Sequence, residues 1–273
     1  MFRKLDRKSF KVIAVFIILC IVGLFAIEGR KIYVEHMCSN AYNVASLRRA
    51  QLDEAVDDSV KNVMIVAHPD DELLWGGGHL MTKDYLVVCM TNGANKERAK
   101  EFKNVVKASG NKYIILNYPD KVAGKRDDWV SVKEQMMSDI DMIVNYKNWD
   151  MIVTHNQHGE YGHIQHQSVH SFVTEVYDRS ASNSKFYCFG RYYRAVRMPS
   201  VKDKLKPISR EEYEYKKKLS ELYSSQQEVI KNLWHMSQYE MWTEYKKYSE
   251  HPQLKYDSSK QKSGRIGDLV NEI

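Results

Sequence analysis

His68, Asp70, Asp71 and Glu72 fall within the run Ala67-His68-Pro69-Asp70-Asp71-Glu72, directly after the apolar stretch Val63-Met64-Ile65-Val66. Such a stretch bounded by polar residues reads as a buried strand, so an imidazole and three carboxylates emerge together at its C-terminal end. That is where open α/β sheets keep their chemistry. Crowded carboxylates repel one another unless something positive lies among them, and a divalent cation answers that need. A polar turn with an Asp as helix N-cap would need one Asp and would leave His68 unexplained. A second cluster lies between His155 and His170 and follows another strand candidate, Met151-Ile152-Val153-Thr154. With a helix starting near Gly162, His163 and His166 stand at i and i+3, about 5 to 6 Å apart at Cβ and facing one way. One of the pair can ligate while the other stays free to work.

The His68-Pro69-Asp70-Asp71-Glu72 run, together with Tyr161-Gly162-His163-x-x-His166 after a later strand, resembles the LmbE/PIG-L family of zinc-dependent N-acetylglucosaminyl deacetylases. The resemblance covers about residues 60 to 250 and takes in Arg98-x-x-Glu101, Pro119-Asp120, and Lys218 followed by Ser225-Gln226. It implies Zn2+, or another divalent metal, on His68, Asp71 and His166, with one position left for water. Asp70 then remains as general base, and Tyr161 or His163 stabilises the oxyanion formed at the acetamide carbonyl. His163, when protonated, is also placed to give a proton to the departing amine. Arg98 and Asp120 become contacts to sugar hydroxyls, and Glu72 orients its neighbours or the substrate. One departure stands out: the family's second motif usually reads His-Pro-Asp-His, and here it is His163-Ile164-Gln165-His166. Both histidines are present; the carboxylate between them is missing.

The function implied is a metal-dependent hydrolase that removes the N-acetyl group from an N-acetylglucosamine-containing glycan or lipid-linked sugar. The competing reading is a membrane-tethered glycan-binding protein whose metal site performs no turnover, for which Asp70 would be unnecessary. A zinc peptidase is disfavoured, since no His-Glu-x-x-His occurs.

Positioning these residues requires alternating elements. Strands are expected near 62–68, 85–91, 112–117, 150–155 and 185–193, separated by helices near 76–83, 95–108, 131–147 and 164–179. The expected fold is α/β, a Rossmann-like doubly wound and mostly parallel sheet with helices on both faces, preceded by an N-terminal transmembrane helix. Residues 119–130 form a long loop on the site's edge, and 211–249 one or two terminal helices rich in Tyr and Trp. Gly76-Gly77-Gly78 lacks the G-x-G-x-x-G spacing of a dinucleotide site; Trp75 and His79 beside it either line the pocket mouth or pack.

Val12 to Ile27 is apolar throughout, about 24 Å as a helix against a hydrocarbon core of about 30 Å. Arg3, Lys4, Arg7, Lys8 and Lys11 precede it and only Arg30 and Lys31 follow closely, so the expected topology is a cytoplasmic tail (1–11), an uncleaved signal anchor (12–27), a stem (28–59) and an extracytoplasmic catalytic domain (60–273) at a bacterial cell envelope. A cleaved signal peptide is the rival, without the small residues a cleavage site needs. The net charge of +6 resides mostly in the first eleven residues, and the body carries no basic stripe, so no nucleic-acid partner is expected. Cys89 and Cys188 sit in strand-like runs and behave as small hydrophobes, their pairing left open; no Cys-x-x-Cys suggests a thiolate zinc site.

Overall fold

The computed structural model describes Phe16, Leu19, residues 22–33 and residues 39–246. In chain order the strands are β1 (Asn62–Val66), β2 (Tyr85–Thr91), β3 (Lys112–Tyr118), β4 (Lys121–Val122), β5 (Lys125–Arg126), β6 (Met151–Thr154), β7 (Lys185–Cys188) and β8 (Thr243–Glu244). The main helices are α1 (Arg49–Ala55), α2 (Asp71–Gly76), α3 (Lys96–Ala108), α4 (Lys133–Val144), α5 (Ile164–Arg179), α6 (Arg210–Ser220) and α7 (Gln227–Leu233).

Six strands form one sheet in the order β3-β2-β1-β6-β7-β8, all parallel except β8, which pairs antiparallel with β7. The chain builds outward from β1 through β2 and β3, then crosses back to lay β6 and β7 on the other side. That reversal opens a crevice between the carboxyl ends of β1 and β6, the usual place for a ligand in an open α/β sheet. Successive side chains of a strand face opposite ways, and β1 is buried on both faces. Val63 and Ile65 pack with Ile140 and Ile143 of α4 and Val169, Val173 and Val176 of α5. Met64 and Val66 pack on the other side with Leu73 of α2, Phe102, Val105 and Val106 of α3, and Leu219 of α6. Each such side chain contributes about 1.5 to 3 kcal/mol on burial, and a one-residue slip of β1 would exchange its two apolar sets. The register is thus fixed with Ile65 level with both Val88 and Thr154. His155, one residue past Thr154, consequently stands level with Val66, and His68 follows two residues further on, in the turn that leaves β1.

The α/β reading and its parallel sheet agree with the structure; the transmembrane helix is a correction. No helix among the described residues is long and apolar enough to cross a membrane. The described helical residues 22–33 run past Ile27 into Glu28, Arg30 and Lys31, so apolarity ends there while the helix does not. Sixteen apolar residues are also fewer than the roughly 20 a spanning helix needs. Residues 12–15, 17, 18, 20 and 21 of the expected span, and the 1–11 tail, lie outside the described residues. The single-pass membrane localisation and the membrane tether fall with the span.

Smaller differences have local causes. The first helix after β1 begins at Asp71 rather than at 76, because Asp71 and Glu72 suit the positive end of a helix dipole. β7 stops at Cys188 instead of 193; at Gly190 the Met241 backbone carbonyl passes 2.5 Å from where a Cβ would stand. The 119–130 loop contains the β4–β5 hairpin, whose turn places Ala123 and Gly124 at φ 50° and 80°. Cys89 and Cys188 are both free and buried.

Candidate active site

The turn from β1 into α2 brings the first cluster to a point. Asp70 sits at φ 109°, a conformation non-glycine residues rarely adopt, and the Asp71 carboxylate folds back to accept the His68 amide at 2.8 Å. The side chains of His68, Asp70, Asp71 and Glu72 are all buried. Glu72 points inward, accepting from Tyr223 Oη at 2.6 Å and from the Asp70 amide at 3.2 Å. Burial pushes its pKa up to about 8.

His68 Nδ1 lies 3.2 Å from His166 Nε2, Asp71 Oδ2 lies 3.3 Å from His68 Nδ1, and Asp71 Oδ1 lies 3.3 Å from His166 Nε2. A tetrahedral zinc with bonds of about 2.0 to 2.1 Å sets its ligand atoms about 3.3 Å apart. The protons of both rings are committed elsewhere. His166 Nδ1 donates to Glu160 Oε2 at 2.5 Å, so its Nε2 carries a lone pair. His68 Nε2 donates to Gln165 Oε1 at 2.7 Å, so its Nδ1 does likewise. Two lone pairs and a carboxylate therefore face one another, an arrangement that suits a cation and little else. These residues fit a divalent metal.

His155 also reaches this centre, with Nε2 3.5 Å from Asp71 Oδ2. Burial disfavours charge on its ring, while Glu160 and Asp71 push its pKa up to about 9. The Ala67 amide donates to Nε2 at 2.9 Å, however, which requires a lone pair there and makes the ring the neutral Nδ1–H form, donating to Glu160 at 3.0 Å. With that lone pair engaged, His155 supports the site without being a natural ligand. Glu160 is held inward by a turn with φ values of 60°, 54° and 95° at Gly159, Glu160 and Gly162. Burial opposes its charge, but His155 and His166 hold its pKa at about 2.

The two aspartates have opposite environments. Burial and the adjacent Asp71 raise the pKa of Asp70 well above the carboxylate range. Burial acts on Asp71 too, and there His166 and His155 prevail and hold it well below. Arg98 Nη2 contacts Asp70 Oδ2 at 3.3 Å and the Pro69 carbonyl at 2.5 Å, and its Nη1 lies 3.8 Å from Asp120. Asp120 pairs with Arg126 of the hairpin.

His163 caps α5, its ring stacked on His166 at 4.3 Å and edge-on to His68 at 4.7 Å. Its Nδ1 is buried without a hydrogen-bond partner among the described residues. Burial, with His166, His68 and Arg126 nearby, pushes its pKa down to about 2, so the ring is neutral. Tyr161 is partly exposed beside it, 5.9 Å ring to ring, and burial with Asp71 and Asp70 keeps its phenol protonated. Trp75 and Tyr192 lie about the Tyr161 ring at 6.3 and 5.9 Å. His79 turns away, stacked on Trp242 and bonded to Glu240. Lys218 is exposed, and Ser225 binds Glu101.

All eight residues expected from the sequence converge on this crevice. His155, Glu160, Gln165 and Arg126 had no assigned part; Glu160 was visible only as a carboxylate lying between the two histidine pairs.

The sequence matches the GlcNAc-PI de-N-acetylase (PIG-L) family model over residues 63–177. It is 31% identical over 186 residues to Uncharacterized protein L374 of Acanthamoeba polyphaga mimivirus, covering 62% of this chain and 73% of the viral protein. The chain belongs to the PIG-L family. Its PIG-L region spans β1 to α5 and contains His68, Asp70, Asp71, Glu72, Arg98, Asp120, Arg126, His155, Glu160, Tyr161, His163, Gln165 and His166. A PIG-L chain is a hydrolytic deacetylase of the N-acetylglucosamine type. Among solved structures, the A40926 pseudoaglycone deacetylase Dbv21 is similar at a TM-score of 0.48 and 14% identity, over 64% of this chain and 85% of that one.

Proposed function

We propose that this protein hydrolyses the acetamide of an N-acetylglucosamine-containing glycan or glycoconjugate, with a divalent cation held by His68, Asp71 and His166. One observation carries the reading: the His68 and His166 ring nitrogens stand 3.2 Å apart, and each has one oxygen of the Asp71 carboxylate 3.3 Å away, with Asp70 beside them. Nitrogen and carboxylate donors suit zinc. When bound, the ion supplies a Lewis acid for the carbonyl and makes water more acidic. Asp70 takes the proton of the attacking water at a carboxylate oxygen, and Arg98 Nη2 fixes that carboxylate's orientation. The Tyr161 hydroxyl and the neutral His163 ring donate hydrogen bonds to the oxygen that becomes negative. A ring that stays neutral is better suited to this than to delivering a proton as an imidazolium, so Asp70, having taken the water proton, returns it to the departing amine. Arg98 and Asp120 on one side, and the ring faces of Trp75, Tyr161 and Tyr192 on the other, bind the sugar.

The test uses purified full-length chain, its metal content and acetate release from N-acetylglucosamine conjugates. His166→Ala is expected to lose most of the metal together with activity. Undiminished metal there rejects the ligand set. Asp70→Asn is expected to keep the metal and lose about 10²- to 10⁴-fold in rate; loss of the metal with the activity would exchange the roles of the two aspartates, and full activity would remove Asp70 as base.

A further inference from the structure

Gln165 occupies the position where the family's second motif usually carries a carboxylate, and it is fully buried. Its amide nitrogen faces three backbone carbonyls: Pro119 at 3.2 Å, Asp120 at 3.0 Å and Asp127 at 3.0 Å. Three acceptors around one group identify it as the NH2 end, which fixes the side chain's orientation and turns Oε1 toward His68 Nε2 at 2.7 Å. That contact sets the His68 tautomer and aims Nδ1 at Asp71 and His166. The carbonyls belong to the segment that carries the β4–β5 hairpin and both Asp120 and Arg126. Arg126 Nη1 lies 3.5 Å from Gln165 Oε1.

We infer that Gln165 is a two-ended positioning residue, orienting His68 for the metal with its oxygen and fastening the substrate-side segment 119–127 with its nitrogen, so that metal binding and the order of that segment are coupled. This rests on the metal site proposed above. A carboxylate at 165 can perform only half the task, because it accepts from His68 but has no N–H to donate to the backbone carbonyls. An ion that fixes His68 draws Gln165 toward one placement, and that placement holds the segment. By linkage, a held segment favours the ion equally.

The hairpin supplies its own reporter, since Lys121, Lys125 and Arg126 are exposed trypsin sites. The experiment takes full-length apo-protein prepared by chelator dialysis, and measures Zn2+ affinity by competition with a chromophoric chelator and tryptic cleavage within 121–126 with and without Zn2+. In the unsubstituted protein zinc is expected to slow that cleavage severalfold. Gln165→Ala is expected to bind zinc about 10- to 100-fold more weakly and to be cut at one rate in both conditions. Gln165→Glu is expected to stay within about 10-fold of the original affinity, because a carboxylate still accepts from His68, while losing the protection. A merely structural glutamine would lower the melting temperature of the apo-protein and leave zinc affinity and zinc-dependent protection unchanged in Gln165→Glu; that result overturns the inference, as does zinc failing to slow cleavage in the unsubstituted protein. If that protein binds no divalent ion at all, the metal site itself fails. If it binds zinc and neither variant alters affinity or protection, only the role of Gln165 fails.

Discussion

Glu160 holds two imidazoles with one oxygen: Oε2 accepts from His155 Nδ1 and His166 Nδ1, while Oε1 accepts from the Asn156 amide. A carboxylate behind a metal-ligating histidine fixes the ring and makes it a better donor, and losing such a partner typically weakens metal binding about 10- to 100-fold. Glu160→Gln is therefore expected to lower zinc affinity by that factor in chelator competition, with Asp71 and His68 untouched; unchanged affinity would reduce Glu160 to packing. The proposed ligands were legible because His68 and Asp71 directly follow a strand that can be read from its apolar run, and His166 stands three residues from His163 in a helix after a later such run. Glu160 was not legible. Its aim depends on a turn with three positive φ values, and sequence spacing says nothing about where a side chain in such a turn points. Gln165 was read as a missing carboxylate, since its partners lie in a segment some 40 residues away.

At the level of elements, α6 is fastened beneath α2 by a buried cation. Lys216 Nζ donates to the carbonyls of Leu74 and Ser237 and to Glu240 Oε1 at 2.8, 2.8 and 2.6 Å. Burial works against both charges; for Glu240, Lys216 and His79 outweigh it and hold the carboxyl at about 2, below its ordinary 4.5. A carboxyl depressed on folding stabilises fully above its unfolded pKa, and that contribution is lost as pH falls from about 4.5 toward 2. At about 1.4 kcal/mol per unit the stake is on the order of 3 kcal/mol. Urea unfolding across that window is expected to show the loss, and Glu240→Gln is expected to show a smaller slope and to be less stable at pH 7 by about 3 to 5 kcal/mol, because Lys216 is left buried without its partner. A parallel slope in the variant would assign the acid sensitivity elsewhere. The parallel strands were legible because β1 and β2 are continuous apolar runs. The β4–β5 hairpin and β8 were not, since two-residue strands have no periodicity and exist only through their partners. The apolar run at 12–27 misled for a related reason: apolarity can be read locally, whereas spanning a bilayer depends on length.

On the scale of the whole molecule, an ion that binds only the folded chain stabilises it by mass action. At a thousandfold excess over Kd that is about 4.1 kcal/mol. With roughly 2 to 4 °C per kcal/mol for domains of this size, saturating zinc is expected to raise Tm by about 8 to 16 °C in scanning calorimetry. His166→Ala should show almost none of that rise; an equal rise in the variant would mean that zinc stabilises from another place.

The reversal of strand order between β1 and β6 also has a consequence in time. Two of the proposed ligand atoms, 3.2 Å apart, are 98 residues apart along the chain, and parallel pairing of β1 with β6 is a long-range contact that forms slowly. During synthesis, His68 and Asp71 emerge well before His166. A chain still short of α5 presents two of the three proposed ligands and an open crevice edge. On the proposed ligand set the site is therefore complete only once α5 has followed β1 and β6, while β7 and β8 are still to come.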